Sequence, residues 1–424
     1  MHDEKVAEID AAVVRAAKEI KVLSAIAWAP EVEAVFLEAH RRGRRQLPRP
    51  EMRVRDLSVE VEALEGLARR CDAADPRQAF LKATAESYAT AGRMLSAVGT
   101  PRFTEHSIAL YGRPDVVWRL QGWSPVEAAR FYLGVTDELI SACRLPPRDD
   151  TIPAAEFAAS LRPALDSFFH EDEVEVKLDP GLSSKAIAGA TRVRLRAGAM
   201  FSELDREQLL QHEAYVHAAT ALNGRKQPAL RSLSLGAPRT TRTQEGIAVY
   251  SEIVTGAIDV GRLRRIAQRV VAVGQALEGA DFLELFDLFR ESGQEPGEAY
   301  HSAQRIFRGG DPRGGSVFTK DAVYLMGVLE VDAFLRIAIR DNRPELVRHL
   351  LAGRLTLADT VRLAPLFDSG ELREPVYVVP WARDLRRLAA ALTYSAFLGE
   401  LKIRQVDLDR IVRFEDARLA GSEA

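Results

Sequence analysis

The stretch that most constrains how this chain can fold is Gln211-His212-Glu213-Ala214-Tyr215-Val216-His217, an H-E-x-x-x-H pattern one residue longer than the metal-binding H-E-x-x-H. Neutral imidazoles bind a metal ion well, and a carboxylate that is not itself a ligand can take a proton from metal-bound water. The surroundings read as a helix. Ser202 and Asp205 have the spacing of a capping box, Leu204, Leu209, Leu210 and Val216 supply apolar positions, and Asn223-Gly224 supplies a stop. Five residues of a regular α-helix turn through about 500°, which leaves the two imidazoles about 140° apart and unable to share an ion. A π-type turn, bonded from residue i to i+5, takes up one extra residue and returns them to one face. The chain therefore either carries a π-bulge between His212 and His217 around a metal ion, or displays two unrelated polar residues on a surface helix.

A second charged motif lies downstream, Thr241-Arg242-Thr243-Gln244-Glu245-Gly246-Ile247-Ala248. Thr241 and Gln244 have capping-box spacing, and Ile247, Tyr250, Ile253, Val254 and Ala257 give the next helix an apolar face. That places Glu245 in a first turn, with Gly246 leaving room for another backbone. A carboxylate there can complete a two-His, one-Glu ligand set with a fourth position open to water or substrate. The alternative is a first-turn Glu that complements the helix dipole. Glu252, two turns on, either orients an imidazole or stands exposed, and we read it as exposed.

With 424 residues and 47% hydrophobic content, the chain can bury a large core. A net charge of −3 and a sequence pI near 6.3 give no reason to expect nucleic-acid binding. The basic run at residues 40–45 lacks interleaved aromatics and reads as a solvated helix end. Cys71 and Cys143 form neither a ligand pair nor a disulfide framework, which suits a reducing cytosol. The charged start does not read as a signal segment, and no apolar run approaches a membrane span. A cytoplasmic protein without a membrane partner is expected, its oligomeric state unspecified.

Ile9, Val13, Ala16, Ile20 and Leu23 recur at helical spacing, and further helices are predicted over residues 59–70, 76–97 and 125–143. They define a helical N-terminal region, residues 1–150, ending at Pro146-Pro147-Arg148-Asp149-Asp150. Past one more helix the period changes. Residues 174–178 and 191–196 alternate, with 185–190 between them, and predict a small, mostly antiparallel sheet directly before the metal helix. In many zincins a strand at that place forms the rim along which an extended peptide lies, an analogy of fold only. The expected class is α+β, predominantly helical. Residues 375–380, bounded by prolines, read as an edge strand. The Gly-rich residues 308–316 lack the Gly-Lys-Ser/Thr of a phosphate loop and read as a flexible loop over a cleft.

His212-Glu213-x-x-x-His217 followed by Gln244-Glu245-Gly246-Ile247-Ala248 resembles the bacterial QEGLA-motif proteins, labelled flavohaemoglobin-expression modulators, which are relatives of the eukaryotic microtubule-associated tyrosine carboxypeptidase. The likeness continues from Arg305 to Gly309 and through the Gly-rich loop into Phe318-Thr319-Lys320-Asp321-Ala322-Val323-Tyr324-Leu325-Met326-Gly327. It spans at least residues 186–327, with Ile247 where the name motif has Leu. The resemblance implies a zincin-like zinc metallopeptidase domain over residues 151–424, with His212, His217 and Glu245 as ligands and Glu213 as base. Eukaryotic members remove a C-terminal tyrosine from tubulin. A tubulin substrate does not carry over, and the expected substrate is a peptide or protein C-terminus ending in tyrosine, another aromatic or a different residue.

A carboxypeptidase must also stabilise the tetrahedral oxyanion and neutralise the terminal carboxylate of its substrate. Tyr324, expected near the start of a helix capped by Thr319 with Val323, Leu325 and Val328 packed behind it, is the candidate for the first task. Arg305, Arg308 and Lys320 are candidates for the second. The alternatives are a core aromatic and solvated loop cations. Two other functional classes stand beside the peptidase. One is a non-catalytic regulatory protein, against which the intact Glu213 argues, since a structural site needs no base. The other is a zinc amidase acting on a small substrate. His40, His106, His170, His301 and His349 have no partner spacing.

Overall fold

Prolines and capping residues start most helices where the sequence places them. The structure, a computed structural model, describes residues 2–118, 122–143, 150–182 and 184–400. The N-terminal part holds α1 (His2–Ala17), α2 (Val22–Ala25), α3 (Pro30–Arg41), α4 (Ser58–Arg70), α5 (Pro76–Ser96), α6 (Pro101–Tyr111) and α7 (Pro125–Cys143). Pro30, Pro76, Pro101 and Pro125 each sit at a helix start, where the missing N–H costs nothing. The end of α3 is the solvated helix end expected from its composition: Arg41 and Arg42 pair with Glu38, and Arg45 with Asp287, all on the surface. Of the expected boundary run, residues 146–149 lie outside the described residues.

Next come β1 (Ile152–Pro153), α8 (Ala154–Phe168), β2 (Glu175–Asp179), β3 (Ala186–Ala188), β4 (Arg192–Arg196) and β5 (Met200–Phe201). Strands β1 and β5 pair antiparallel, as do β3 and β4, with Ala186, Ile187 and Ala188 opposite Leu195, Arg194 and Val193. Strands β2 and β4 pair parallel, so the three-stranded sheet is mixed, in the order β2-β4-β3. The excursion of about a dozen residues between them is long enough to bring the chain back in its original direction. It leaves β3 on an edge.

The inner face of this sheet shares one core with α8 and the helix that follows. Phe157 stacks on Phe201 at 4.2 Å between ring centroids, and Leu161, Leu165, Val193, Leu195, Leu209, Leu210, Ala214 and Ala218 close around them. A second core is aromatic, with Phe36, Phe282, Phe286, Tyr300 and Phe307 in contact.

The site helix consists of α9 (Glu203–Leu209), a π-helical segment (Leu210–Ala218) and α10 (Ala219–Arg225). It is followed by α11 (Thr241–Val254), α12 (Val260–Leu277), α13 (Phe282–Glu291), α14 (Pro296–Phe307), α15 (Val323–Arg340), α16 (Glu345–His349) and α17 (Leu357–Asp368). The chain divides into two compact units, Met1–Val379 and Pro380–Ala424, the second contributing α18 (Pro380–Arg383) and α19 (Leu385–Glu400). Among the described residues, no helix is long and apolar enough to cross a membrane.

Two expectations are corrected. Residues 375–380 form no strand. Asn223 takes over the backbone groups that a partner strand would satisfy, its Nδ2 donating to the Tyr377 carbonyl at 2.7 Å and its Oδ1 accepting from the Tyr377 N–H at 2.9 Å. The Gly-rich segment is pinned to α6: Val317 N donates to Thr104 Oγ1 at 2.6 Å, Ser316 Oγ donates to the Thr100 carbonyl at 2.8 Å, and Phe103 fills the space where Gly309 lacks a side chain. Gly309, Gly314 and Gly315 take positive φ there, and only Arg308 of this segment reaches the cleft.

Candidate metal centre

The capping box at the start of the site helix forms as read, with Ser202 as N-cap and Asp205 reaching back to its backbone. The helix then widens. Residues Leu210–Ala218 are π-helical, so one turn carries the extra residue and the His212 and His217 rings come to 4.9 Å between centroids. The widened turn is anchored downstream. Thr220 Oγ1 lies 2.7 Å from the Val216 carbonyl and 2.8 Å from Gln244 Oε1. Asn223 and Gly224 do not stop the helix, which runs on to Arg225. Asn223 bonds to Tyr377 and Leu351, and Gly224 lets the Leu233 backbone come where a Cβ would stand, 2.4 Å from it.

Helix α11 brings the carboxylate. Its N-cap is Thr240, without a side-chain bond, because a 3₁₀ turn (Pro238–Thr240) runs straight into it. Gln244 is claimed by Thr220, so the expected capping box is absent and Glu245 lies in the second turn, buried. Gly246 does admit another backbone. A Cβ there would meet the Gly327 carbonyl oxygen at 2.3 Å, so α11 and α15 touch main chain to main chain.

These elements converge on one point. Glu245 Oε2 lies 3.4 Å from His212 Nε2 and 3.6 Å from His217 Nε2, and all three ligand atoms lie within 4.8 Å of one another. Donors held at about 2.0–2.2 Å from a tetrahedral ion stand roughly 3.3–3.6 Å apart. Glu245 Oε2 is buried and has no hydrogen-bond partner, an arrangement costly for a carboxylate unless a cation completes it. The group could hold a metal ion, and its donors fit one.

Around this point each charge has an answer. Lys320 Nζ donates to the other Glu245 oxygen, Oε1, at 2.8 Å. Burial alone would push the Glu245 carboxyl up, but Lys320 and the two imidazoles hold it well below the usual carboxylate range. Glu252, read as exposed, is fully buried. Its Oε1 lies 2.6 Å from His212 Nδ1, and Arg262 forks onto both of its oxygens at 3.0 and 3.1 Å. Against burial, Arg262 and His212 bring Glu252 down to about 2. For His212 burial works downward, but Glu245, Glu252 and Glu213 outweigh it and lift the imidazole to about 10. Glu213 is not one of the converging ligands. Its Oε2 accepts from the Ala188 N–H of edge strand β3 at 2.7 Å.

A cleft of about 1930 Å³ opens over this centre, lined by His212, Glu213, His217, Glu245, Lys320 and Tyr324. Tyr324 stands at the start of α15, behind a 3₁₀ turn (Thr319–Ala322) whose N-cap is Phe318 rather than Thr319. Val323, Leu325 and Val328 are buried beside it as expected. Its hydroxyl is 3.4 Å from Arg305 Nη2, and Lys320 Nζ sits 5.1 Å from its ring centroid. Arg305 forks onto Asp321 at 2.6 and 2.7 Å, and that guanidinium holds the Asp321 carboxyl far below its ordinary value. Arg308 and Arg269 are different. The Nε of each is buried without a hydrogen-bond partner, and neither is paired with a carboxylate among the described residues. Burial, then the neighbouring Arg305, pushes both guanidinium groups down to about 10. On another wall of the cleft Arg354 also leaves its Nε buried and unpartnered, its Nη2 lying 3.3 Å from the His217 carbonyl.

Arg262, Arg269 and Arg354 were not singled out in the sequence. Glu245 and Glu252 are seven residues apart, as are Arg262 and Arg269, and that spacing puts each pair on one helix face. It was the available signal.

No curated protein matches this chain. The family model described as microtubule-associated tyrosine carboxypeptidase matches residues 36–400. Among solved structures, the crystal structure of a proposed lipoprotein from Colwellia psychrerythraea is similar at 15% identity with a TM-score of 0.47, over 73% of this chain and 66% of that chain.

Proposed function

The chain belongs to the microtubule-associated tyrosine carboxypeptidase family, and from that premise we propose a zinc-dependent carboxypeptidase that removes the C-terminal residue of a peptide or protein. The observation that carries this reading is the convergence of His212, His217 and an unpartnered buried oxygen of Glu245 at the floor of a cleft. The Gln244-Glu245-Gly246-Ile247-Ala248 string supports a place in the bacterial QEGLA-motif branch, and the domain we assign to catalysis is residues 151–424 of a zincin-like fold.

His212, His217 and Glu245 hold the ion. When bound there, zinc supplies Lewis acidity toward a carbonyl and lowers the pKa of water. Glu213, next to a ligand on the same widened turn, takes the proton of the attacking water and returns it to the leaving amine. Tyr324 donates its hydroxyl to the developing oxyanion. Of the three cations expected to meet the terminal carboxylate, Lys320 is engaged with Glu245 and Arg305 with Asp321, and these two shape the field. Arg308 has the free donor, with Arg269 beside the same Arg305–Asp321 pair, and together they take the carboxylate.

The test is zinc content of purified protein together with hydrolysis of peptides of varied C-termini, as free acids and as amides. Glu213→Gln should keep its zinc and lose about 10²–10⁴-fold in turnover. Full activity in that variant rejects Glu213 as base, and amides cut as fast as free acids reject the carboxypeptidase reading.

A further inference from the structure

The two histidines of the centre are not held alike. His217 is paired with no carboxylate other than Glu245 among the described residues, and its side chain faces the cleft. His212 is gripped from behind. Glu252 Oε1 meets its Nδ1 at 2.6 Å, Gln208 Nε2 donates to that same oxygen at 3.1 Å, and the Arg262 guanidinium spans both oxygens of Glu252. Glu252 is 0% exposed, so no water helps to define its orientation. Arg262 belongs to a different helix, α12, whose first turn is fixed by the Asp259 N-cap, Asp259 Oδ1 accepting from the Arg262 N–H at 2.6 Å.

We propose that Glu252 and Arg262 act as one positioning unit for His212, and that this unit, rather than the ligands alone, sets the affinity of the centre for its ion. The inference rests on the metal reading above. A carboxylate on Nδ1–H fixes which ring nitrogen carries the proton, aims the Nε2 lone pair at Glu245 and the ion, and raises the donor strength of the ring. Arg262 makes this possible in a buried place. Its guanidinium spans both oxygens of Glu252 and keeps the carboxylate turned toward the ring. Neither Glu252 nor Arg262 is one of the converging ligands, so their effect through His212 belongs in metal affinity.

The experiment is zinc titration of the full-length, zinc-stripped protein against a chelator of known affinity. The proteins compared are the wild type, Glu252→Gln, Arg262→Met, Arg262→Lys and the double variant Glu252→Gln with Arg262→Met. Outer-shell partners of this kind typically change affinity about 10–100-fold. Glu252→Gln should weaken zinc binding by about that factor, Arg262→Met should weaken it, and Arg262→Lys should recover part of the loss. The double variant, which leaves no uncompensated buried charge, should bind within about twofold of Glu252→Gln alone, because two members of one unit cannot be lost twice. Variant affinities equal to that of a zinc-binding wild type overturn the inference and leave the metal reading intact. Losses that multiply in the double variant overturn the unit. A wild type that takes up no zinc overturns the metal reading, and this inference with it.

Discussion

Two flanks of the Glu245 carboxylate handle charge in opposite ways. On the histidine side two buried carboxylates each have a cation, Arg262 for Glu252 and Lys320 for Glu245, with one Glu245 oxygen left pointing at the imidazoles. On the Tyr324 side three guanidinium groups, Arg269, Arg305 and Arg308, gather around the single carboxylate of Asp321. The first flank lacks a cation and the second lacks an anion. A site that must hold an ion permanently is best closed to everything else, and a site that must release a charged product is best left with donors to spare. The proposed division of labour, metal on one flank and substrate carboxylate on the other, follows from that contrast.

The contrast can be broken most forcefully at Asp321. Asp321→Asn leaves three buried guanidinium groups with no counter-charge, and removal of one partner from a buried pair costs about 3–5 kcal/mol. A lower midpoint in chemical denaturation is expected at neutral pH. The folded-state pKa of Asp321 lies below its ordinary value, so its contribution is present above about pH 4 and fades as pH falls below that. The stability curves of wild type and variant should therefore converge in acid. Curves that stay parallel down to low pH would mean that the arginine flank does not depend on this carboxylate.

A smaller effect sharpens the substrate side. Arg308→Met should raise KM for free-acid peptides by about tenfold to a hundredfold, with kcat and zinc content little changed, since a charge-assisted bond contributes about 1.5–3 kcal/mol. Equal KM values for variant and wild type would remove Arg308 from carboxylate binding. Smallest is the joint between the flanks. Gly246→Ala pushes a methyl group into the Gly327 carbonyl, and overpacking of this kind costs about 1–3 kcal/mol. Thermal melting should register the loss, and an unshifted melt would mean that α11 and α15 can part without consequence.

What the sequence disclosed follows from what is local. His212, Glu213 and His217 lie within six consecutive residues, so their geometry is fixed by one helix, and the spacing itself demanded the π-turn that is found. Gly246 announced a backbone contact, although not that its partner would be Gly327. Alternation also marked residues 174–178 and 191–196 as strands of a small sheet, and two of the three strand pairings are antiparallel as expected, with β2 and β4 parallel. The failures have a tertiary cause. Thr241 and Gln244 had capping spacing, yet Thr220 competes for Gln244 from another helix. Glu252 looked solvent-facing because a charged residue usually is. Its burial depends on Arg262, ten residues away on the following helix.

The widened turn also fixes what the motif can become. Removing one residue between His212 and His217 would leave H-E-x-x-H, whose histidines fall on one face of a regular α-helix without any bulge. Because the bulge takes up one extra residue, such a deletion would remove the bulge and leave the residues after it in nearly the same place. Thr220 would keep Gln244, Asn223 would keep Tyr377, and Gly224 would still face Leu233. The longer and the shorter motif are thus two ways of presenting one pair of imidazoles, and the contacts that anchor the helix downstream are compatible with both.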